Sequence, residues 1–392
     1  MPRYVIDEAA LRRNLEILKG VSDRAGVKIL LAQKAFSCAA VYPLCAKYLA
    51  GTTASSLFEA KHGHDNFGGE THVFAPAFVP EEMDELLGIV DHIVFNSPRQ
   101  VALYGEKAQA RGVSVGLRVN PEVSVATTPA YDPCRPSSRL GTTRSMMDAN
   151  LCSCGSHKPF NLLTIKPFNF LDGLHFHCLC EQGVEELRKV LAVFESNFGD
   201  LLPRMKWVNF GGGHHITRED YDVDGLVALL DGFRNRHPRL AVYLEPGEAV
   251  ALNAGTLESK VLEIQPVGAD GVANAILDAS AACHMPDVIE MPYTPRVVGA
   301  AICRGKPPAG SRFVYRFGGP TCLAGDEIGV YAFDRPLKEG DEVVFEDMAI
   351  YSMVKNNTFN GVNLPDIALR RESGELVTLR RFGFEDFASR LG

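Results

Sequence analysis

The chain has 392 residues, more than one compact domain usually holds, so a barrel-sized domain plus a smaller one is the natural division. Hydrophobic residues make up 46% and charged residues 22%, ordinary values for a globular protein with a large core. The formal net charge of −8 argues against a nucleic-acid-binding surface, which would be basic, and is compatible with cationic small molecules.

The opening residues Arg3–Ile6 are strand-like and are expected to join a sheet formed later in the chain. The stretch MPRYVIDEAALRRNLEIL lacks the apolar run of a signal peptide. No segment reaches the length of a membrane span. A cytoplasmic protein is expected, with its ten cysteines reduced rather than paired. Leu11, Leu15 and Leu18 recur at helical spacing before the first apolar run.

Eight short apolar, β-branched runs follow. They are Ile29–Gln33, Gly51–Ser55, His72–Ala75, His92–Phe95, Val115–Val119, Gly173–His177, Trp207–Phe210 and Ala241–Glu245. Helical patterns fill the gaps at Glu81–Val90, Ser97–Ala110, Gly183–Asn197 and Asp222–Arg236. Strands alternating with helices imply parallel pairing, and eight such units predict a closed (β/α)8 TIM-like barrel over residues 8–250. The interval Thr142–Phe170 breaks the pattern and reads as a long loop. Cys152, Cys154 and His157 lie in it without a second CxxC-type half, so no metal site is expected.

Beyond residue 250 strands come without long helices between them: Leu257–Val267, Asn274–Ala279, Arg312–Phe317, Glu327–Phe333 and Asp341–Phe345. Ala368–Arg371 and Glu375–Arg380 flank a Ser-Gly turn as a hairpin. Residues 251–392 therefore predict a mostly antiparallel β domain, with residues 1–7 as one more strand of it.

In a parallel barrel the chemistry sits at the C-terminal ends of the strands. Lys34, in LLAQKAF, follows the first run. There it either snorkels to the surface or points into the barrel mouth, where desolvation lowers its pKa and favours imine formation. His175 and His177 end the sixth run on one face; core packing is the ordinary role of either, with His177 better placed for a ligand. Gly211, Gly212 and Gly213 follow the seventh run and form either a tight turn or a phosphate-binding nest. Glu245 ends the eighth run and either bonds to backbone or pairs with a pyridine nitrogen.

In the second half, GGPTCLAGD places Cys322 in a loop that exposes a thiol able to donate a proton, or simply packs it. CHMPDVIEMPYTP offers Asp287 and Glu290 to an ammonium group or to solvent. Tyr351 could present its hydroxyl to a phosphate or pack.

Taken in order, GTTASSLFEAKHG, DPCRPSSRLG, GLHFHCLCEQ, NFGGGHH, EPGEA, CHMPDVIEMPYTP, GGPTCLAGD and MVKNNTFNG closely resemble the carboxynorspermidine (carboxyspermidine) decarboxylases. These belong to the alanine-racemase-like, fold-type III group that uses pyridoxal 5'-phosphate. The resemblance runs across nearly the whole chain. It implies that Lys34 holds the cofactor as a Schiff base, that His177 lies against its ring and that Glu245 meets its pyridine nitrogen. Gly211, Gly212, Gly213 and Tyr351 would hold the phosphate. Cys322 would protonate the α-carbon, and Asp326 with Glu290 would bind the distal amine of a polyamine-like amino acid. It further implies a homodimer whose sites take Cys322 and Asp326 from the partner subunit. Glu248 stands where the broader group often has Arg, so the source of positive charge for the phosphate is open. The rival readings are another fold-type III enzyme (an ornithine or diaminopimelate decarboxylase, or a racemase) and a non-catalytic regulatory homologue.

Overall fold

The computed structural model describes residues 1–149, 167–305 and 313–392; Cys152, Cys154 and His157 lie outside them, as does most of the irregular interval. The chain forms two compact units. One comprises Asn14–Val250, the other Met1–Arg13 with Ala251–Gly392.

Strands are numbered along the chain, and β1 (Arg3–Asp7) belongs to the second unit. The first unit is a closed barrel of β2 (Lys28–Ala32), β3 (Gly51–Ala54), β4 (Glu70–Phe74), β5 (His92–Phe95), β6 (Ser114–Arg118), β7 (Gly173–His175), β8 (Trp207–Asn209) and β9 (Ala241–Leu244). Every neighbouring pair is parallel, and β2 closes the ring on β9 through Lys28–Tyr243 and Ile29–Leu244. All eight runs read from the sequence are these strands, each within two residues of its expected ends.

The helices of the barrel unit start where small polar residues can cap them. Ser56 accepts the Glu59 N–H before Leu57–Asn66, Ser97 that of Gln100 before Pro98–Ala110, and Asp222 that of Gly225 before Val223–Arg236. The expected helix over Glu81–Val90 is shorter, a 3-10 turn at Pro80–Glu82 leading into Met83–Leu86. Gly88 follows at once and carries a helix poorly.

Inside the barrel, Leu30, Val94, Trp207 and Tyr243 form a buried cluster. Trp207 needs room that only glycine leaves. A Cβ on Gly173 would sit 2.1 Å from Trp207 Cδ2, and one on Gly116 would sit 2.4 Å from its Cη2. The indole N–H donates to Ser114 Oγ at 2.9 Å, so the polar edge of the ring is satisfied. The strand starts near this cluster form a polar end to the barrel. Lys28 and His72 both bond Glu70, and the His72 and His92 rings stack with centroids 4.0 Å apart.

The second unit adds β10 (Gly255–Ile264), β11 (Ala273–Leu277), β12 (Ala300–Ile302), β13 (Phe313–Gly318), β14 (Glu327–Phe333), β15 (Glu342–Glu346), β16 (Asp366–Arg370) and β17 (Leu376–Arg380). The sheet runs β12-β14-β13-β11-β10-β1-β16-β17, with β15 also pairing β10. Only β1 with β16 and β11 with β13 are parallel, so the sheet is mostly antiparallel. The opening strand is thus a member of this sheet, and β16–β17 is the hairpin expected from Ser373-Gly374.

The glycine–tryptophan packing gives a direct test. Gly173→Ala should destabilise the protein by roughly 1–3 kcal/mol through overpacking against Trp207. Urea unfolding measures this, and an unchanged midpoint would contradict the packing described.

Candidate active site

The C-terminal ends of the barrel strands converge on a cavity of about 190 Å³ lined by Lys34, Thr53, Phe74, Arg118, His175, His177 and Glu245 among others. Four of the residues singled out in the sequence, Lys34, His175, His177 and Glu245, are therefore brought together.

Lys34 lies just past β2. Gln33 anchors this turn, donating to the Glu59 carbonyl at 2.8 Å and accepting from the Tyr42 hydroxyl at 3.0 Å. The Lys34 side chain is open to solvent through the cavity mouth but enclosed by protein around its amine. That enclosure, reinforced by the Arg118 guanidinium, pushes the ammonium pKa below its usual value. The amine is thereby made easier to deprotonate and a better nucleophile.

Glu245 follows β9. Burial opposes its charge, but the His175 imidazole and the Asn209 amide outweigh it and hold the carboxyl at about 2. His175 Nε2 lies 3.2 Å from Oε2, and Asn209 Nδ2 donates to Oε1 at 2.7 Å. Burial pushes the His175 pKa down while the Glu245 carboxylate pulls it up, and the ring donates from Nε2 to Oε2.

His177 is held by the glycine turn. The Gly212 N–H donates to His177 Nδ1 at 3.0 Å, which makes Nδ1 the acceptor and leaves the proton on Nε2. Burial, Lys34 and Arg118 push its pKa well below the ordinary histidine value, so the ring is neutral.

The triple glycine differs from the expected nest. Gly211 N–H is taken by Asn209 Oδ1 at 2.8 Å and Gly212 N–H by His177, so the three amides do not face one anion together. What the glycines provide is close approach. A Cβ at Gly212 would lie 2.1 Å from the Glu245 carbonyl, and one at Gly213, which has φ +87°, 2.0 Å from that of Leu179. Glu248, which occupies the place of the broader group's arginine, lies 2.9 Å from His215 Nε2.

Arg118 and Asn209 are site residues that the sequence reading does not single out. Arg118 is buried, donates to the His177 carbonyl at 3.0 Å and stacks over the Phe74 ring at 4.5 Å. Both residues end barrel strands, in GLRVN and WVNF, and the strand-end rule that points to Glu245 applies equally to them.

Cys322, Asp326, Glu290 and Tyr351 all lie in the sheet unit. Cys322 is exposed in its turn, and its N–H donates to Asn360 Oδ1 at 2.8 Å. Glu290 is half exposed and pairs with Lys355, which also pairs with Asp287. Tyr351 has a left-handed backbone at φ +47°. Asp326 is tied into its own turn. It is only 4% exposed, and its carboxylate accepts from Ser280 Oγ, the Ala282 N–H and Thr321 Oγ1 at 2.7–3.1 Å.

Among the described residues one group has metal-ligand composition, Glu70 with His72 and His92. It lies at the strand starts, the opposite end of the barrel from Lys34. The two imidazole planes are 8° from parallel, and Glu70 is bonded to Lys28 and His72, an arrangement that serves packing and charge pairing.

An amine with a lowered pKa facing a carboxylate that stays ionised suits an aldehyde cofactor whose ring nitrogen must remain protonated, which marks a barrel enzyme of the pyridoxal-dependent class. Comparison with known proteins specifies the family. The model described as pyridoxal-dependent decarboxylase, C-terminal sheet domain, matches residues 3–349, and the chain belongs to that decarboxylase family. It is 41% identical over 391 residues to carboxyaminopropylagmatine decarboxylase of Synechocystis sp., covering 100% of this chain and 95% of the relative. It is 41% identical over 399 residues to carboxynorspermidine/carboxyspermidine decarboxylase of Campylobacter jejuni, covering 99% and 98%. The crystal structure of the Campylobacter jejuni carboxynorspermidine decarboxylase with norspermidine superposes with a TM-score of 0.88 at 40% identity, covering 100% of this chain and 99% of that one.

The neutral buried imidazoles set a pH dependence. Burial lowers His92 to about 3 and His214 to about 4, whereas both protonate near 6.5 once unfolded. Acid therefore favours the unfolded state, and each should contribute a loss of about 1 kcal/mol between pH 7 and pH 5.5. His215, raised by its pairing with Glu248 despite burial, acts in the opposite sense and offsets part of the loss. Urea unfolding across this range should show stability falling with pH. A flat or rising profile would contradict the neutral assignments.

Proposed function

We propose that the protein decarboxylates carboxynorspermidine or carboxyspermidine, giving norspermidine or spermidine. The observation that carries this reading is the cavity in which Lys34, His177 and the ionised Glu245 meet, in a chain related over its whole length to decarboxylases of carboxylated polyamines.

Pyridoxal 5'-phosphate fits these residues. When bound, it supplies the electron sink that stabilises the electron pair left by departing carbon dioxide. Lys34 would be the amine that holds its aldehyde. Glu245 keeps a positive charge on the ring nitrogen, and it does so without reorganising because His175 and Asn209 already hold it. His177, neutral and clamped at Nδ1, would line the cofactor's pocket. With the Gly211 and Gly212 amides given to Asn209 and His177, the phosphate would fall to the backbone at Gly213. Cys322 of the partner subunit in a homodimer delivers a proton to the α-carbon. Asp326, and by looser analogy Glu290, would meet the distal amine. No helix among the described residues is long and apolar enough to cross a membrane, and we place the enzyme in the cytoplasm.

A second reading has specific support. The Synechocystis relative is equally similar and is named for carboxyaminopropylagmatine, whose name denotes a guanidine where the polyamines carry an amine. Carbon dioxide release from all three compounds separates the two. The polyamine reading requires the higher kcat/KM on carboxynorspermidine or carboxyspermidine, and preference for the agmatine derivative would replace it.

Lys34→Ala should abolish both turnover and the cofactor's visible absorption in the purified protein, and retained absorption would refute the attachment. Cys322→Ala should lower kcat by about 10²-fold or more, as expected for loss of a proton donor. Wild-type turnover would remove the thiol from the mechanism.

A further inference from the structure

We propose that Asn360 is a positioning residue for Cys322, the last link of a closed ring of hydrogen bonds that sets where the thiol is presented. The proposal rests on the reading of Cys322 as the proton donor.

Three separate stretches of the sheet unit make the ring: Ser280–His284, Thr321–Asp326 and Asn357–Gly361. Asp326 is its buried centre, tying Thr321 to Ser280 and to the Ala282 N–H. The segment containing Ala282 and Cys283 then holds Asn357 at two points. Asn357 Nδ2 donates to the Ala282 carbonyl at 2.8 Å, and its N–H to the Cys283 carbonyl at 2.9 Å. Asn357 Oδ1 in turn accepts the Phe359 N–H at 2.9 Å, which shapes the next turn. At the tip of that turn Asn360 has φ +54°, a left-handed conformation that asparagine tolerates better than most residues. From there its Oδ1 accepts the Cys322 N–H at 2.8 Å and closes the ring.

The thiol residue is exposed, while the anchor of its turn, Asp326, is buried. An exposed loop residue is ordinarily free to move. Here its backbone is clamped on one side by Asn360, and Thr321 beside it is clamped by Asp326. Gly319 leaves the space this requires, since a Cβ there would lie 2.2 Å from Asp326 Oδ2 and 2.7 Å from Ser280 Cα. A proton donor must reach a small target in a fixed direction, and an ångström of misplacement is costly to rate. Asn360 bears on that reach without itself being an acid or a base.

Two variants of the holoenzyme test this. Asn360→Gly keeps the left-handed backbone at ease and removes the acceptor, whereas Asn360→Asp keeps an oxygen in place. For each, kcat and KM are measured together with the rate at which iodoacetamide alkylates Cys322 in the folded protein, read peptide by peptide. Asn360→Gly should lower kcat by about tenfold or more with KM within about twofold, and change the Cys322 alkylation rate. Asn360→Asp should alkylate like the wild type. Unchanged alkylation or unchanged kcat in Asn360→Gly would overturn the proposal, as would alkylation equally altered in both variants. The alkylation arm reports the loop alone, so a fully active Cys322→Ala enzyme would refute the donor reading without being confused with it.

Discussion

A single buried negative charge organises the mouth of the barrel. Glu245 sits where burial alone would neutralise it, and it stays ionised because His175 and Asn209 present hydrogens to both oxygens. Those two donors come from neighbouring strands, so the charge depends on the barrel being closed in the correct register. Asn209 also shapes the glycine turn, because its side-chain oxygen takes the Gly211 N–H. Gly212 then orients His177. Charge, turn and imidazole are thus one connected system, and Lys34 faces it with an amine whose proton is loosely held.

Much of this is legible in the sequence because the signals are local. A parallel strand buried on both sides reads as a short apolar run, and all eight barrel strands are visible that way. Lys34, His177 and Glu245 each stand out as a polar residue at the end of such a run. The sheet order is not legible. Nothing local says that β1 lies between β10 and β16, although strand character in Arg3–Ile6 shows that it pairs somewhere. The short strand β12 carries too few residues for periodicity to register.

The residues that the sequence misrepresents share a physical cause. Asp326 looks like a free acid because spacing shows only that a carboxylate follows a cysteine in a glycine-rich loop. Its donors come from Ser280 and Ala282, far off in sequence, and only folding brings them to it. The triple glycine likewise suggests an anion nest, whereas two of its amides answer to side chains at Asn209 and His177. Arg118 passes unnoticed because an arginine inside GLRVN looks like an ordinary strand-edge cation; its burial against Phe74 and the His177 carbonyl emerges only in three dimensions.

The place of β1 also bears on the order of assembly. Arg3 is registered against Glu258 on one side and Asp366 on the other, so this strand must wait for partners made hundreds of residues after it. The barrel residues form an unbroken segment between them and can collapse meanwhile, whereas the sheet is stitched together from both termini. Until then β1 has two unpaired edges, which other chains could capture. Anything that delays synthesis of β10 and β16 prolongs that exposure.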